Sequence, residues 1–285
     1  MIPDSIPKAL FAAILLGVFL PVTGRHLILG RSILLGLAVP QVSMAGIAFL
    51  FLGSALGWSW TAPFADDSTR AAAGALLFAV PTLLVLAGMQ RAGRHLSEAW
   101  LAVAYLASFA AGNLMLSSNA LGETYLSDLF HGRLILISDG ALQLLTLSLV
   151  LTGGAAFALR RRLLLVLTDP DFAAVAGVRV AAWVMLLALL NGCAIGVAVA
   201  AVGPLVTFGF LILPALTAAA FARSLRAHFV WSIAAGIAAA TTGYHYAYRW
   251  DLPLGDCTVA FGAALLILCR SLTYIRFFRM RPKAV

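Results

Sequence analysis

Charged and Gly/Pro-rich breaks cut the chain into nine apolar runs, at about 8–24, 32–53, 71–89, 97–116, 134–159, 180–200, 203–222, 229–248 and 257–277. A bilayer's hydrocarbon core takes about 20 helical residues to cross, and the runs approach that length. No water inside lipid satisfies a backbone N–H or C=O, so each run must close its hydrogen bonds within itself, as a helix does. The expected fold class is therefore all-α: a polytopic integral membrane protein of about nine transmembrane helices, with residues 1–285 forming a single transmembrane domain. Hydrophobic residues make up 62% of the chain and charged ones 11%, far from what a soluble domain needs.

Alternation of the runs sorts the charges. Fifteen of the nineteen basic residues fall on one side: Arg25, Arg31, Arg91, Arg94, Arg160, Arg161, Arg162, Arg179, Arg223, Arg226, Arg270, Arg276, Arg279, Arg281 and Lys283. Lys8, Arg70, Arg133 and Arg249 fall on the other. Basic residues flanking a span resist translocation, so the expected orientation has the N-terminus outside and the C-terminus in the cytoplasm. Asp4, Asp66, Asp67, Glu123, Asp128, Asp251 and Asp256 lean to the outer side.

The net charge of +8 is spread between apolar runs, which points to membrane topology and lipid contact rather than nucleic acid. Cys193, Cys257 and Cys269 lie in or beside apolar runs without CxxC spacing, so neither a disulfide framework nor a zinc cluster is expected. The acidic, Pro-containing start without a small-x-small cleavage pattern reads as a retained helix. No G-x-x-x-x-G-K-[ST] loop occurs, so any ATP-driven role needs a second polypeptide.

Between the fifth and sixth runs, RRRLLLVLTDPDFAAVAGVRV carries helix punctuation. Asp169 suits a cap, Pro170 the first helical position, Asp171 the positive N-terminal end, and Gly177 the close. A short inner helix is expected from Pro170 to Ala176, within about 168–177, with Phe172 and Val175 on one face. A connector lying on the bilayer surface would read the same way.

Polar groups inside spans need protein or water, which makes Gln41, Asp139, Gln143, Asn191 and His245 candidates for a translocation path. Asp139 and Gln143 share a face of the fifth run with Thr146, and Asp139 also suits a cap at its outer end. Ser43, Thr207 and Thr217 are weaker candidates, because such hydroxyls usually bond their own helix backbone. His245 stands in Tyr-His-Tyr-Ala-Tyr, which fits an interfacial aromatic belt equally well. Gly203, Pro204, Gly209 and Pro214 are candidate hinges, or small residues permitting close packing.

DPDFAAVAG resembles the D-x-x-x-A-x-x-x-G segment of the metal-uptake class of ABC-transporter permeases, and VGPLVTFGFLILPALTAAAFARSL resembles that family's G-x-L-L-x-x-x-x-L-x-x-P-A-x-x-A signature. GRHLILGRSILLGLAVPQVSMAG, LSEAWLAVAYLASFAAG and YLSDLFHGRLILISDGALQ are similar to its second, fourth and fifth span regions. The resemblance implies an inner-membrane permease whose Asp169–Gly177 segment, including Asp169, Pro170, Asp171, Phe172, Val175 and Gly177, docks a separate ATPase. It also implies a second permease copy or paralogue, a periplasmic metal-binding protein, and a transported divalent metal such as zinc, manganese or iron. ATP belongs to the partner, and this chain is expected to bind no cofactor and to be no enzyme.

One departure bears on the cargo. The family's second-span Asp and His, four residues apart, correspond to Leu37 and Gln41, so the resemblance assigns no metal ligands here. A permease for a metal chelate or cobalamin-like ligand is the alternative, followed by a gradient-driven transporter in which Asp139 titrates.

Overall fold

The computed structural model describes residues 5–30, 33–61, 63–64, 66–91, 98–117 and 137–280. Among them lie eleven α-helices and no strand: α1 (Ser5–Leu29), α2 (Leu35–Ala55), α3 (Asp67–Arg91), α4 (Glu98–Ser117), α5 (Asp139–Ala158), α6 (Arg160–Thr168), α7 (Pro170–Val175), α8 (Val180–Val202), α9 (Pro204–Phe221), α10 (Leu225–Trp250) and α11 (Leu254–Met280). Eight are long and apolar enough to cross a membrane: α1, α2, α3, α4, α5, α8, α9 and α11. The eighth expected span, 229–248, corresponds to α10, which is 26 residues long but carries a more polar sequence from Arg226 to Trp250.

Three expectations shift. The first run does not stop at residue 24; helix α1 continues to Leu29 and takes Arg25 and His26 into the bundle, both only 6% exposed. Residues 160–168, expected as loop, form α6, which buries Leu163 with Ala156 and Leu187 beside Trp183, and buries Val166 as well. The fifth span begins at Asp139, and the expected start at 134 lies outside the described residues.

The helices form two packing groups. One joins α1, α9, α10 and α11, the other joins α2, α3, α4 and α8, and α5 bridges α1 to α8. α2 is the central element, with 83% of its apolar stretch buried against 11% for α4. Missing side chains let the backbones meet. A Cβ on Gly46 would stand 2.2 Å from the Gly74 carbonyl oxygen, locking α2 to α3. Gly17 and Gly236 do the same for α1 and α10, with a Cβ on Gly236 only 2.0 Å from the Gly17 carbonyl oxygen. Lipid tails are as apolar as leucine, so such close approach, rather than hydrophobic burial, supplies much of the cohesion between helices in a membrane.

Contacts between helix ends fix the alternation. Lys8 at the start of α1 pairs with Asp139 at the start of α5 at 2.5 Å. Tyr246 near the end of α10 packs on Phe261 of α11 at 4.6 Å between ring centroids. At the opposite end, Phe157 of α5 packs on Phe229 of α10, and Arg25 of α1 lies 5.8 Å over the same Phe229 ring. The start of α3 is pinned by Asp66, whose carboxylate accepts from the Ser68 hydroxyl and, at 3.4 Å, from the Thr69 N–H. Those bonds favour the charged carboxylate and hold its pKa below the usual carboxylate range.

The tight glycine contacts make a direct prediction. Gly46→Leu or Gly236→Leu overpacks a backbone-to-backbone contact and destabilises the fold by about 2 kcal/mol, read as a lowered midpoint when the detergent-solubilised protein is heated and assayed for monodispersity. Gly154→Ala, at a helical glycine with nothing within 4 Å of the added methyl, leaves the midpoint unchanged or slightly raised.

Candidate coupling helix and translocation path

Helix α7 is stopped at both ends by local chemistry. The Asp169 carboxylate accepts from the Phe172 N–H at 2.9 Å, Pro170 opens the helix where no N–H is needed, and Asp171 lies in the first turn. At the far end the Gly177 N–H donates to the Ala174 carbonyl at 3.1 Å and the Val178 N–H to the Ala173 carbonyl at 2.9 Å, the paired bonds of a Schellman close. That close needs the left-handed backbone of Gly177, at φ 77°. The six-residue helix turns Ala173 fully inward and leaves Phe172 59% and Val175 88% exposed. The basic residues of α6 lie against aromatic rings: Arg160 is 4.0 Å from the Phe157 ring centroid and Arg162 is 5.4 Å from that of Trp183. The short capped helix thus presents an exposed apolar pair, Phe172 and Val175.

The expected path residues do not form one cluster. Gln41 is buried in central α2, where its amide donates to the Met44 sulfur at 3.7 Å; Leu37, one turn earlier, is half-buried. Asp139 is not within the apolar depth: it occupies the exposed first turn of α5, beside the Ser138 cap, and pairs with Lys8. Gln143, one turn further, is exposed on the flank of α5. His245 is exposed near the end of α10, 5.9 Å from the Tyr246 ring and next to the stacked Tyr244 and Tyr248. The Ser43, Thr207 and Thr217 hydroxyls donate to the Val39, Gly203 and Leu213 carbonyls on their own helices or caps.

Asn191 lines a half-open cavity of about 380 Å³ bounded by α1, α3, α6, α7, α8 and Leu35 at the start of α2, where it meets His26, a residue the sequence placed beyond the first span. Arg25 marked the span's end by charge, and nothing in the local pattern announced that both residues turn inward. The Arg25 Nε and His26 Nδ1 atoms are buried and have no hydrogen-bond partner among the described residues. Pro170, at the start of α7, lies on the wall of the same cavity.

Gly203 forms the break between α8 and α9, with φ 85° and ψ 168°, and Pro204 begins α9. Gly209 is a packing glycine: a Cβ there would stand 2.6 Å from Val259 of α11. Pro214 lies inside α9 and leaves the carbonyl one turn back without its helical N–H.

Removing the cap in Asp169→Ala costs helix α7 about 1 kcal/mol, so amide exchange at Phe172 to Ala176 accelerates about fivefold. Gly177→Val, forced into a left-handed backbone, accelerates it further while exchange in α8 stays unchanged.

The chain is 25% identical over 270 residues to the manganese import system permease protein ScaB of Streptococcus gordonii, covering 92% of this chain and 88% of that protein. It is 26% identical over 262 residues to ScaB of Streptococcus parasanguinis, with the same coverage. Its fold matches a chain of PsaBC from Streptococcus pneumoniae, solved in complex with Fab, at a TM-score of 0.73 with 21% identity, over 93% of this chain and 91% of that one. Residues 3–273 match the ABC 3 transport family, and with nearly its whole length inside that match the chain belongs to this family.

Proposed function

We propose that this chain is the membrane permease subunit of an ATP-driven importer for a divalent metal ion, with manganese the leading cargo, working with a separate ATPase and a periplasmic binding protein in a bacterial inner membrane. The observation that carries the reading is the family match over residues 3–273. The manganese named for both ScaB relatives supports the cargo.

Three structural features agree. α7 is a rigid, exposed apolar knob at the end of the bundle where the basic residues collect, which on the positive-inside rule is the cytosolic end, with the N-terminus outside and the C-terminus inside. A docked ATPase that moves α7 would move the spans joined to it, with the Gly203–Pro204 break and Pro214 as flex points. α5 exposes Gln143 on the same flank as the exposed Leu147 and Leu151, and a polar side chain on a lipid-facing flank is costly. A second permease copy over α5 would cover it.

Leu37 and Gln41 leave central α2 without a strong metal ligand, which suits a transporter that leaves selectivity largely to its delivery protein. The same departure keeps the metal-chelate reading as the alternative.

The test uses the chain expressed with its neighbouring ATPase and binding protein. Cells are expected to accumulate manganese only with an ATPase competent for hydrolysis, and the double variant Phe172→Asp, Val175→Asp lowers both ATPase co-purification and uptake at least tenfold. A complex that persists unchanged in the double variant sinks the docking role of α7. Uptake that requires a chelated metal selects the alternative, and uptake driven by a proton gradient without the ATPase selects a secondary transporter. For orientation, a cysteine replacing Arg161 is expected to react with an impermeant thiol reagent only from the cytosolic face.

A further inference from the structure

We propose that the half-open cavity beside α8 is a lipid site: a slot that takes one acyl chain of an inner-leaflet phospholipid, with the lipid phosphate held at its mouth by Arg179. Such a site is independent of the cargo, and only its leaflet rests on the orientation given above.

One face of α8 shapes the slot. Val180, Val184, Leu187, Ala188 and Asn191 all line it, and at 3.6 residues per turn they share a stripe about 100° wide and about 16 Å long. Spread over that length, a volume of about 380 Å³ leaves a width of about 5 Å. Carbon atoms in contact stand about 3.5–4.0 Å apart, so the slot admits one alkyl chain and not two. The facing walls are apolar too, with Leu83 and Ala87 of α3 and Leu27 of α1. Among the described lining residues only His26 and Asn191 carry polar side chains, they adjoin each other, and no carboxylate, ammonium or guanidinium lines the space. Water there finds few polar partners, and an apolar void forfeits the contacts its lining could make. A hydrocarbon chain supplies those contacts and brings no donor or acceptor that must be paired.

The mouth selects the occupant. Of the described lining residues, Gly30 at the end of α1 and Pro170 at the start of α7 are the exposed ones, which puts the opening at the end of the bundle where the basic residues collect. In a bilayer that end lies at headgroup level, where phospholipid chains are the surrounding solvent and mass action favours them over any dissolved apolar molecule. Arg179 is exposed there, immediately before Val180, and α8 starts without a side-chain cap, so a phosphate beside it meets a guanidinium and the positive end of a 23-residue helix. Arg162 lies over Trp183, the neighbour of cavity-lining Val184, and adds a second cation. Residues 160–179 carry four arginines against Asp169 and Asp171, and the Asp169 carboxylate is occupied by the Phe172 N–H, so this end stays basic. Leu167 and Pro170 share the wall, so the chain fills the space behind the start of α7.

The test uses the full-length chain in nanodiscs that contain phosphatidylglycerol bearing a diazirine midway along one acyl chain, with adducts located residue by residue by mass spectrometry after illumination. Adducts are expected on Leu83, Ala87, Val184 and Leu187, besides the exposed Val85 and Leu189 that any bilayer chain reaches. Ala188→Phe fills the slot and lowers the slot adducts about tenfold by excluding several methylenes, while those on Val85 and Leu189 stay unchanged. Ala87→Leu does the same from the opposite wall and decides the matter should Ala188→Phe fail to assemble. Arg179→Gln lowers slot labelling by the phosphatidylglycerol probe about fivefold and leaves labelling by a neutral diacylglycerol with the same chain unchanged. Wild-type protein labelled on Val85 and Leu189 but not in the slot overturns the proposal, as does slot labelling that survives both filling variants. Slot labelling by a free fatty acid carrying the same diazirine, with none by the phospholipid, overturns it in favour of another occupant. A chain that moves no metal while its slot is labelled removes the cargo reading and leaves the lipid site standing.

Discussion

Backbone hydrogen bonding in hydrocarbon is the constraint on which the rest of the structure depends. It makes every span a helix, and once helices have satisfied their own backbones, little except close packing holds them together. The contacts Gly46–Gly74 and Gly17–Gly236 are therefore structural joints rather than incidental small residues. Each anchors one packing group: α2 to α3 in the group around α8, and α1 to α10 in the group around α9 and α11.

The two groups meet along α1 and α2. α1 touches α5, α8, α9 and α10, and its last turns carry Arg25 and His26 into the interior. The cavity those turns help to enclose is bounded on another side by α6 and the start of α7. The start of the exposed short helix and the His26–Asn191 pair thus line the same cavity. α7 itself is held at both ends by local caps, the Asp169 carboxylate at its start and the Gly177 close at its end.

Burial of polar side chains separates the candidates more sharply than their position along a span does. The Ser and Thr hydroxyls spend their hydrogen bonds on their own helices or caps, and His245 and its tyrosines pack among themselves near the end of α10. Asp139 is committed to Lys8. In the interior, His26 Nδ1 has no hydrogen-bond partner among the described residues, and the Gln41 amide donates to the Met44 sulfur.

Hydropathy and punctuation alone determined the all-helical class, the spans to within a few residues, and the limits of α7, because those features depend on periodicity, backbone satisfaction and capping within a few neighbours. The Asp169 cap and the Gly177 close were legible for that reason. Tertiary structure decided what local pattern does not encode: that α1 carries Arg25 and His26 inward, that 160–168 folds back as α6 on Trp183, that α2 is central, and that Asn191 faces a cavity while Gln143 faces outward. Each of these depends on which helix lies alongside, and in a membrane that choice rests on shape complementarity between distant segments, for which a one-dimensional apolar pattern has no signal.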